Sequence, residues 1–219
     1  MNNIHIEKIQ AKEFEEVALI LTNAFETNPA YALIFNHTNK LREGLLWLFQ
    51  TNLYLLNRKK TVTSVIKDNN SNSIIGTFSV VPPEGGENSF SDYCHIGLPK
   101  FILKFGIRAF SKLLGMSKLN KNILKNSIRE TTYYYLSMVA VKDELQGKGI
   151  GSFAINTCLK ELSKIENNCC LIGLTTQMSE NVRFYSLLGF EKINESQVSY
   201  RGNRYHNWNM KYIWEFKKT

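Results

Sequence analysis

The sequence predicts a mixed α/β protein, because strand and helix patterns alternate along its 219 residues. The strand–helix–strand order over residues 133–177 implies two parallel strands joined by a crossover helix. Residues 61–81 contain two runs rich in β-branched side chains around the polar turn Asp68–Ser73, which is typical of an antiparallel hairpin. One sheet with both kinds of strand pairing is therefore expected.

The first quarter of the chain is predicted to form one short strand and two amphipathic helices. Ile4–Ile9 alternates apolar and polar side chains, as a half-buried strand does. Residues 11–25 and 40–57 repeat apolar side chains at helical spacing. Asn28 and Pro29 should end the first helix, because proline disfavours helical backbone at the residue before it.

The second half is predicted to alternate strands and helices. The expected strands are Tyr133–Val141, Cys169–Thr176, Phe190–Asn194 and Trp208–Ile213. Helices are expected at residues 152–165 and 179–188, and the second should end at Gly189, a C-terminal cap residue.

Residues 97–128 mix apolar side chains with cations, and we expect this stretch to be a helical insertion in a single domain of residues 1–219. Four cations recur at every fourth position and should lie near one face of a helix: Lys100, Lys104, Arg108 and Lys112. A solvated face is the simplest interpretation, and a lid or a surface for anionic substrates or lipid is the alternative. The stretch lacks a known nucleic-acid-reading motif. We therefore expect neither a nucleic acid nor a membrane partner.

Composition excludes several broad classes of protein. Hydrophobic residues at 43% and charged residues at 21% are ordinary for a globular chain, so extensive disorder is not expected. No apolar run approaches the roughly 18 residues of a membrane-spanning helix, and the first residues lack the pattern of a secretory signal. The 4 cysteines form no C-x-x-C pair and the 4 histidines have no metal-ligand spacing. We expect a cytoplasmic protein with free thiols and no metal.

A glycine-rich turn follows the strand Tyr133–Val141 and opens a helix. Such a turn exposes backbone N–H groups that have no partner inside the helix, and the helix dipole adds roughly half a positive charge there. Glycines let a diphosphate approach this backbone without meeting Cβ atoms. Lys148 adds a mobile positive charge. The turn is therefore predicted to bind phosphate.

Two common phosphate-binding motifs do not fit this turn. The P-loop pattern G-x-x-x-x-G-K-[ST] is absent, and Gly147, Gly149 and Gly151 are spaced G-x-G-x-G rather than G-x-G-x-x-G. A dinucleotide site also needs an acidic residue at the end of the next strand, which here ends in Thr175 and Thr176.

The turn instead resembles the acetyl-CoA signature of the GNAT superfamily of N-acetyltransferases, Q/R-x-x-G-x-G/A, on the residues Gln146–Gly151. Asn181–Tyr185, followed by Leu188–Phe190, is similar to the family's N-x-x-x-Y…G-F helix, and Trp208–Met210 is similar to its last strand. The match covers residues 133–213. More weakly, residues 24–29 resemble the substrate-side helix of the branch that includes puromycin N-acetyltransferase.

The resemblance implies the GNAT fold, in which helices flank a mixed, mostly antiparallel sheet with a parallel strand pair at the acetyl-CoA site. It implies an enzyme that transfers an acetyl group directly from acetyl-CoA to a primary amine of a small molecule or protein. A homodimer is possible, because final strands in this family often pair between subunits. The implied cofactor-binding residues are Val139, Ala140, Val141, Gln146, Gly147, Lys148, Gly149, Ile150, Gly151, Ser152 and Asn181.

Tyr185 is the catalytic residue that the resemblance implies. Acetyl transfer needs a neutral amine, a donor to the thioester oxygen, and a proton for the departing thiolate. In GNAT enzymes the strand before the glycine turn supplies the donor, and a tyrosine on the later helix protonates the thiolate in many relatives. Asn181 is expected to bind the pantetheine arm or the start of its own helix.

The sequence departs from the puromycin-acetyltransferase-like pattern in one strand. That branch carries Leu-Glu-Thr where this chain has Leu174, Thr175 and Thr176, so no base is carried over. The candidate bases elsewhere are Glu26, His37, His95 and Glu130. Two alternatives stay open: a non-catalytic CoA-binding regulatory module, and an acyltransferase that uses another acyl-CoA.

Overall fold

The computed structural model describes residues 3–35, 38–58, 60–83, 85, 97–130, 132–165 and 169–214. Its strands form a seven-stranded sheet in the order β1-β2-β3-β4-β5-β7-β6. The strands are β1 (Ile4–Lys8), β2 (Val62–Asp68), β3 (Ile74–Val81), β4 (Tyr134–Val141), β5 (Leu171–Thr176), β6 (Glu191–Tyr200) and β7 (Asn203–Ile213). Only β4 and β5 pair in parallel, and the other neighbours are antiparallel. The predicted mixed, mostly antiparallel sheet is confirmed.

Helices cover both faces of this sheet. They are α1 (Phe14–Phe25), α2 (Pro29–Phe35), α3 (Thr38–Asn57), α4 (Leu98–Phe105), α5 (Ile107–Ile128), α6 (Ile150–Leu162) and α7 (Ser179–Leu187). One hydrophobic core cluster joins α1–α5 to the sheet, and a second joins α6 and α7 to its other face. Among the described residues, no helix is long and apolar enough to cross a membrane.

Asn28 and Pro29 do more than end a helix. The predicted break is present, because α1 stops at Phe25, but Pro29 then opens the short helix α2, which periodicity did not predict. Oδ1 of Asn28 accepts a hydrogen bond of 3.0 Å from the backbone N–H of Ala30. This is the geometry of an N-terminal cap followed by proline at the first helical position.

The basic stretch forms two helices, so the prediction that its four cations share one helix face is wrong. Gly106, with φ of 85°, separates α4 from α5. Lys104 on α4 pairs with Glu43 at 3.0 Å. Lys112 on α5 instead points inward, and its Nζ donates to the carbonyl of Leu33 at 3.0 Å.

The last two strands are longer than predicted. They form one hairpin whose turn residues Arg201 and Gly202 both have positive φ, 50° and 80°. Positive φ at both central residues is the backbone of a tight turn that matches strand twist. Residues 195–200 and 203–207 were not predicted as strand, because apolar and polar side chains alternate only weakly along them.

The described cysteines carry free thiols, as predicted. Cys158 and Cys169 are buried, whereas Cys170 is half-buried. Burial raises the pKa of the Cys158 thiol to about 12, so this thiol stays protonated at neutral pH. Cys94 lies outside the described residues.

Candidate functional site

Strands β4 and β5 diverge, and this fork is the centre of the candidate site. Their parallel ladder contains the pairs Tyr134↔Ile172 and Tyr135↔Gly173 and then stops. Both strands continue beyond it, β4 to Val141 and β5 to Thr176. The later residues of β4 therefore have no strand partner on the β5 side, and their backbone groups can bind an extended ligand there.

A β-bulge lies in β4 just past the last parallel pair. Ser137 pairs with Ser79 and Ala140 pairs with Thr77, so one extra residue is inserted between them. Met138 takes a φ of 51°, a left-handed conformation that costs a non-glycine residue about 1 kcal/mol or more. Bulges re-aim backbone groups next to functional sites. Val139, Ala140 and Val141 follow this bulge, at the mouth of the fork.

The glycine turn begins where β4 ends. Gly147 and Gly149 have φ of 74° and 78°, and Gly149 is the N-cap residue of α6. The first amide to close a helical hydrogen bond is that of Phe153, which donates to Gly149 at 2.9 Å. The amides of Ile150, Gly151 and Ser152 precede it and are the helix donors left for an anion.

Gly151 lies at a close contact between elements. A Cβ built there would lie 3.3 Å from Cζ of Phe184 on α7 and 3.8 Å from Cγ2 of Val141 on β4. Gly147, in contrast, has no atom within 4 Å of such a Cβ. Gly147 is thus required for its backbone angle, whereas Gly151 lets α6 approach α7 and the end of β4.

Gln146 holds the turn together from within. Its Nε2 donates to the carbonyl of Val141 at 3.2 Å and to Oδ1 of Asp143 at 2.9 Å. The backbone N–H of Lys142 donates to Ile75 of β3 at 2.9 Å, which anchors the same loop to the sheet. Gln146 therefore positions the turn, and exposed Lys148 is the cation beside it.

A surface groove runs along the outer face of α6 from this turn. It is lined by Ser152, Phe153, Asn156, Thr157 and Lys160. The opposite face of α6 is packed into the core through Ala154, Ile155, Cys158, Leu159 and Leu162. A ligand whose phosphates bind the helix start can therefore extend over the exposed face.

Tyr185 lies on α7 with its ring buried against Phe184 and Phe190, at centroid distances of 5.0 and 5.5 Å. The residue is 8% exposed. Burial raises its pKa above the usual value of 10, and the neighbouring phenol of Tyr135 raises it further. Among the described residues, none is a hydrogen-bond partner of its hydroxyl. The side chain is a protonated donor near the fork.

Asn181 is engaged at the start of α7. Its Nδ2 donates to Oγ1 of Thr176 at 3.2 Å, and the same oxygen accepts from the backbone N–H of Met178 at 3.3 Å. These bonds join the end of β5 to the helix. Asn181 was expected to bind either the pantetheine arm or the start of its own helix, and the bond to Thr176 lies at the helix start.

A row of polar side chains crosses the sheet beside the fork, and sequence reasoning missed it. Tyr135 of β4 is affected electrostatically by Thr175 of β5, and Oγ1 of Thr175 donates to Oδ1 of Asn209 of β7 at 2.8 Å. Nδ2 of Asn209 in turn donates to Oδ1 of Asn194 of β6 at 3.4 Å. Burial raises the pKa of Tyr135, so its phenol is neutral.

A second set of amides ties this row to the α1–α2 connection. Nδ2 of Asn28 donates to Oε1 of Gln177 at 3.1 Å, and Nε2 of Gln177 donates to Oδ1 of Asn207 at 2.8 Å. Nδ2 of Asn207 donates to Asn209 at 3.4 Å. Asn207 and Asn209 are fully buried. The alternating Asn207 and Asn209 on one strand face were the available signal.

The candidate bases are not brought to this row. Glu26 pairs with Arg42 at 3.0 Å and its side chain is 42% exposed. Glu130 pairs with Lys211 at 3.6 Å and its side chain is 45% exposed. Both carboxylates are held at the surface by cations. His37 and His95 lie outside the described residues.

The mixed sheet, its parallel strand pair and the glycine turn are the features that the sequence resemblance implies, and the comparison with known families agrees. A model of the Acetyltransferase (GNAT) family matches residues 33–190. This match spans more than half of the chain, so the chain belongs to that family. Among curated proteins, none matches this sequence significantly.

Solved structures share the fold at low sequence identity. The histone acetyltransferase HPA2 and related acetyltransferase from Corynebacterium glutamicum is 15% identical at a TM-score of 0.63, covering 94% of this chain and 95% of its own. NAA60 from Arabidopsis thaliana with a bisubstrate analogue is 16% identical at 0.57, covering 96% and 97%. The putative acetyltransferase yncA from Salmonella typhimurium, with acetyl-CoA, is 15% identical at 0.53, covering 100% and 98%.

Proposed function

We propose that this protein is an N-acetyltransferase that moves the acetyl group of acetyl-CoA directly to a primary amine of a small molecule or protein. The observation that carries the proposal is the glycine turn at the carboxyl end of β4. There, Gly147 and Gly149 have positive φ and free helix amides follow. Family membership supports acyl transfer, and yncA was solved with acetyl-CoA as its cofactor.

The turn is proposed to hold the diphosphate of coenzyme A. The amides of Ile150, Gly151 and Ser152 supply donors, and Lys148 supplies charge. The pantetheine arm, which contains two amides, would extend from there into the fork and pair with the free edge of β4 at Val139 and Val141. Its thioester would then lie near the bulge at Met138.

Three steps follow for the chain's own residues. A backbone amide of β4 donates to the thioester oxygen while the amine attacks, and this stabilises the negative charge that develops there. The carbon–sulfur bond then breaks. Tyr185 donates its proton to the departing sulfur, because burial keeps its phenol protonated. The proton that the acetylated nitrogen loses then restores the phenol, directly or through solvent.

Direct transfer is favoured over an acyl-enzyme intermediate by the state of the cysteines. A covalent route needs a thiolate nucleophile near the thioester. Cys158 lies on the packed face of α6 with its pKa raised to about 12, and Cys169 is buried. Neither thiol is suited to attack, and half-buried Cys170 precedes β5, at the end of that strand away from the fork.

The acceptor side is proposed to be the face that carries the polar row. Burial raises the pKa of Tyr31 on α2, and the phenol of Tyr135 on β4 raises it further. The resemblance to the puromycin-acetyltransferase-like branch stays part of this proposal. It is supported by Asn28, whose bonds to Ala30 and Gln177 tie the α1–α2 connection to β5.

The test is a titration followed by an assay. Calorimetry should detect CoA binding to the folded protein, and acetyl-CoA with a panel of primary amines should release free thiol. Binding without thiol release for any amine would favour the regulatory module. Faster release from succinyl-CoA or a longer acyl-CoA would favour another acyl donor. Absence of any CoA binding to the folded protein would contradict the proposal.

Several further expectations belong to the same proposal. We propose a single domain, since the described strands form one sheet, with 97–128 as its helical insertion. A cytoplasmic location, the absence of a metal and a possible homodimer remain predictions.

A further inference from the structure

The charge of this protein is concentrated in one segment. Residues 97–129 contain eight of the 27 Lys and Arg residues and none of the 19 Asp and Glu residues. That segment alone therefore accounts for the formal net charge of +8. The eight cations are Lys100, Lys104, Arg108, Lys112, Lys118, Lys121, Lys125 and Arg129.

The same segment exposes large apolar side chains. Leu103 is 88% exposed and Ile107 is 59% exposed, on either side of the break at Gly106. Leu114, further along α5, is 36% exposed. Single exposed apolar residues are common. Here, however, Leu103 and Ile107 are among the most exposed apolar side chains of the described residues, and they lie on either side of Gly106. We call this site the apolar corner.

The apolar corner is surrounded by cations. Lys100 and Lys104 precede it on α4, and Arg108 follows Ile107 directly on α5. All three are exposed. Within the described residues, Glu43 pairs with Lys104 at 3.0 Å, and it offsets one charge of the group.

The rest of the two helices is already packed. Leu98 and Phe101 of α4, and Phe110, Met116 and Ile128 of α5, are buried against the sheet and neighbouring helices. The inner faces therefore fix the helices in place, and Leu103 and Ile107 with Lys100, Lys104 and Arg108 remain exposed at the break between them. Exposed aliphatic side chains next to cations are the combination that binds an anionic lipid interface.

We propose that α4 and α5 dock this protein onto an anionic phospholipid surface, with Leu103 and Ile107 inserted among the headgroups and the flanking cations on the lipid phosphates. This departs from the sequence expectation that no membrane takes part. Lipid is favoured over nucleic acid by the exposed side chains themselves. Leu103 and Ile107 are aliphatic, whereas Phe101 and Phe110 are buried. The half-buried ring of Phe105 is packed against Phe101 and Phe35 at centroid distances of 4.8 and 5.6 Å, so these rings are not available to stack on bases.

The test is vesicle cosedimentation of the full chain. Vesicles of phosphatidylcholine with a minority of phosphatidylserine should bind the protein, and pure phosphatidylcholine should bind it at least tenfold more weakly. Leu103→Ser with Ile107→Ser should abolish most binding. Lys100→Gln with Arg108→Gln should weaken binding about fivefold per cation, and added salt should weaken it further. Both pairs lie at exposed positions and should remain folded by circular dichroism.

Matched controls distinguish binding through this corner from nonspecific adsorption to vesicles. Leu187→Ser removes an apolar side chain that is 79% exposed on α7, and Lys8→Gln with Lys12→Gln removes two exposed cations near β1. Neither should change binding. The proposal is overturned if phosphatidylserine does not increase binding, or if the controls lose as much as the corner variants. It is also overturned if a single-stranded RNA oligonucleotide binds through these cations while vesicles do not.

Discussion

The hydroxyl of Thr175 donates to Oδ1 of Asn209 at 2.8 Å, across the β5–β7 pair in which the two residues are directly opposite. The puromycin-acetyltransferase-like branch carries a carboxylate where this chain has Thr175. A carboxylate is an acceptor only, and it could not make this bond to the amide oxygen of Asn209. Thr175 and Asn209 are therefore a matched pair of neutral donor and acceptor.

Replacing Thr175 by Val tests that row. The variant keeps the shape of the side chain but removes the donor, so the amide oxygen of fully buried Asn209 retains only the 3.4 Å bond from Asn207, while its Nδ2 keeps the bond to Asn194. We expect a loss of about 1–2 kcal/mol in the free energy of unfolding, measured by urea denaturation. Thr157→Val on α6 is the control, because its hydroxyl has no partner in the described part of the chain. Equal losses in the two variants would contradict the role of the bond.

Alanine substitutions at two glycines of the turn should affect stability and CoA binding differently. Gly147→Ala keeps free space but forces alanine to a φ of 74°, which costs about 1 kcal/mol of stability and should weaken CoA binding roughly in proportion. Gly151→Ala has an ordinary φ but a contact of 3.3 Å to Phe184. We expect it to change stability little, because the ring can shift. It should weaken CoA binding more, because a displacement of α6 away from Phe184 moves the amides of Gly151 and Ser152 that are proposed to hold the diphosphate.

Calorimetry and thermal denaturation on the same two variants distinguish these effects. If Gly151→Ala bound CoA like the wild type, the turn would not approach a diphosphate as proposed. The matched control is Gly202→Ala, which has a φ of 80° in the β6–β7 turn. That variant should lose stability like Gly147→Ala without losing CoA affinity.

Tyr185→Phe tests the general acid. Removing the hydroxyl should lower kcat by roughly 10²–10⁴-fold while CoA affinity stays near that of the wild type. Burial raises the pKa of Tyr185 above 10, so its proton is present throughout neutral and mildly alkaline pH. The wild-type rate should therefore show no alkaline fall from this group below pH 10. A kcat within a few-fold of the wild type would remove Tyr185 from the mechanism.

How far the sequence predicts this molecule depends on how local each feature is. The glycine turn lies within Gln146–Gly151, so its spacing was readable, and so was the strand–helix–strand unit around it. The bond between Thr175 and Asn209 joins residues 34 positions apart and depends on which strands become neighbours. Periodicity does not contain that information. For the same reason Asn28 was interpreted only as a helix stop, although its partner Gln177 lies 149 positions away.

Local signals also misled in one place. The cations from Lys100 to Lys112 have helical spacing, but a single glycine with φ of 85° interrupts the helix. Gly106 lies within this pattern, and because glycine is a poor helix former, it was the available indication of a break.

Lys67 forms an ion-pair cluster that makes stability depend on pH. Its Nζ lies 2.5 Å from Oε1 of Glu7 and 2.6 Å from Oε1 of Glu13, and its side chain is only 8% exposed. The backbone N–H of Gln10 donates to the other oxygen of Glu13 at 2.7 Å. The cluster thus joins β1 and the first turn before α1 to β2.

The direction of the pH effect follows from the two shifted groups. Hydrogen bonding to Lys67 lowers the pKa of Glu7 below its ordinary 4.5, so the stabilisation from Glu7 is complete above pH 4.5 and is lost as pH falls through the folded-state pKa. Hydrogen bonds to Glu13 and Glu7 raise the pKa of Lys67 above 10.5, so its contribution is lost only as pH rises beyond that value.

Glu7→Gln is the variant that isolates the acidic side of this cluster. We expect a lower Tm than the wild type at neutral pH, and a difference that shrinks as pH is lowered below 4.5, because the wild-type carboxylate is then protonated as well. Thermal denaturation across an acidic series measures it. Glu15→Gln, at an exposed site on α1, controls for the change in net charge. A Tm difference that stayed constant down to the acid limit would mean that Glu7 acts through packing and not through its charge.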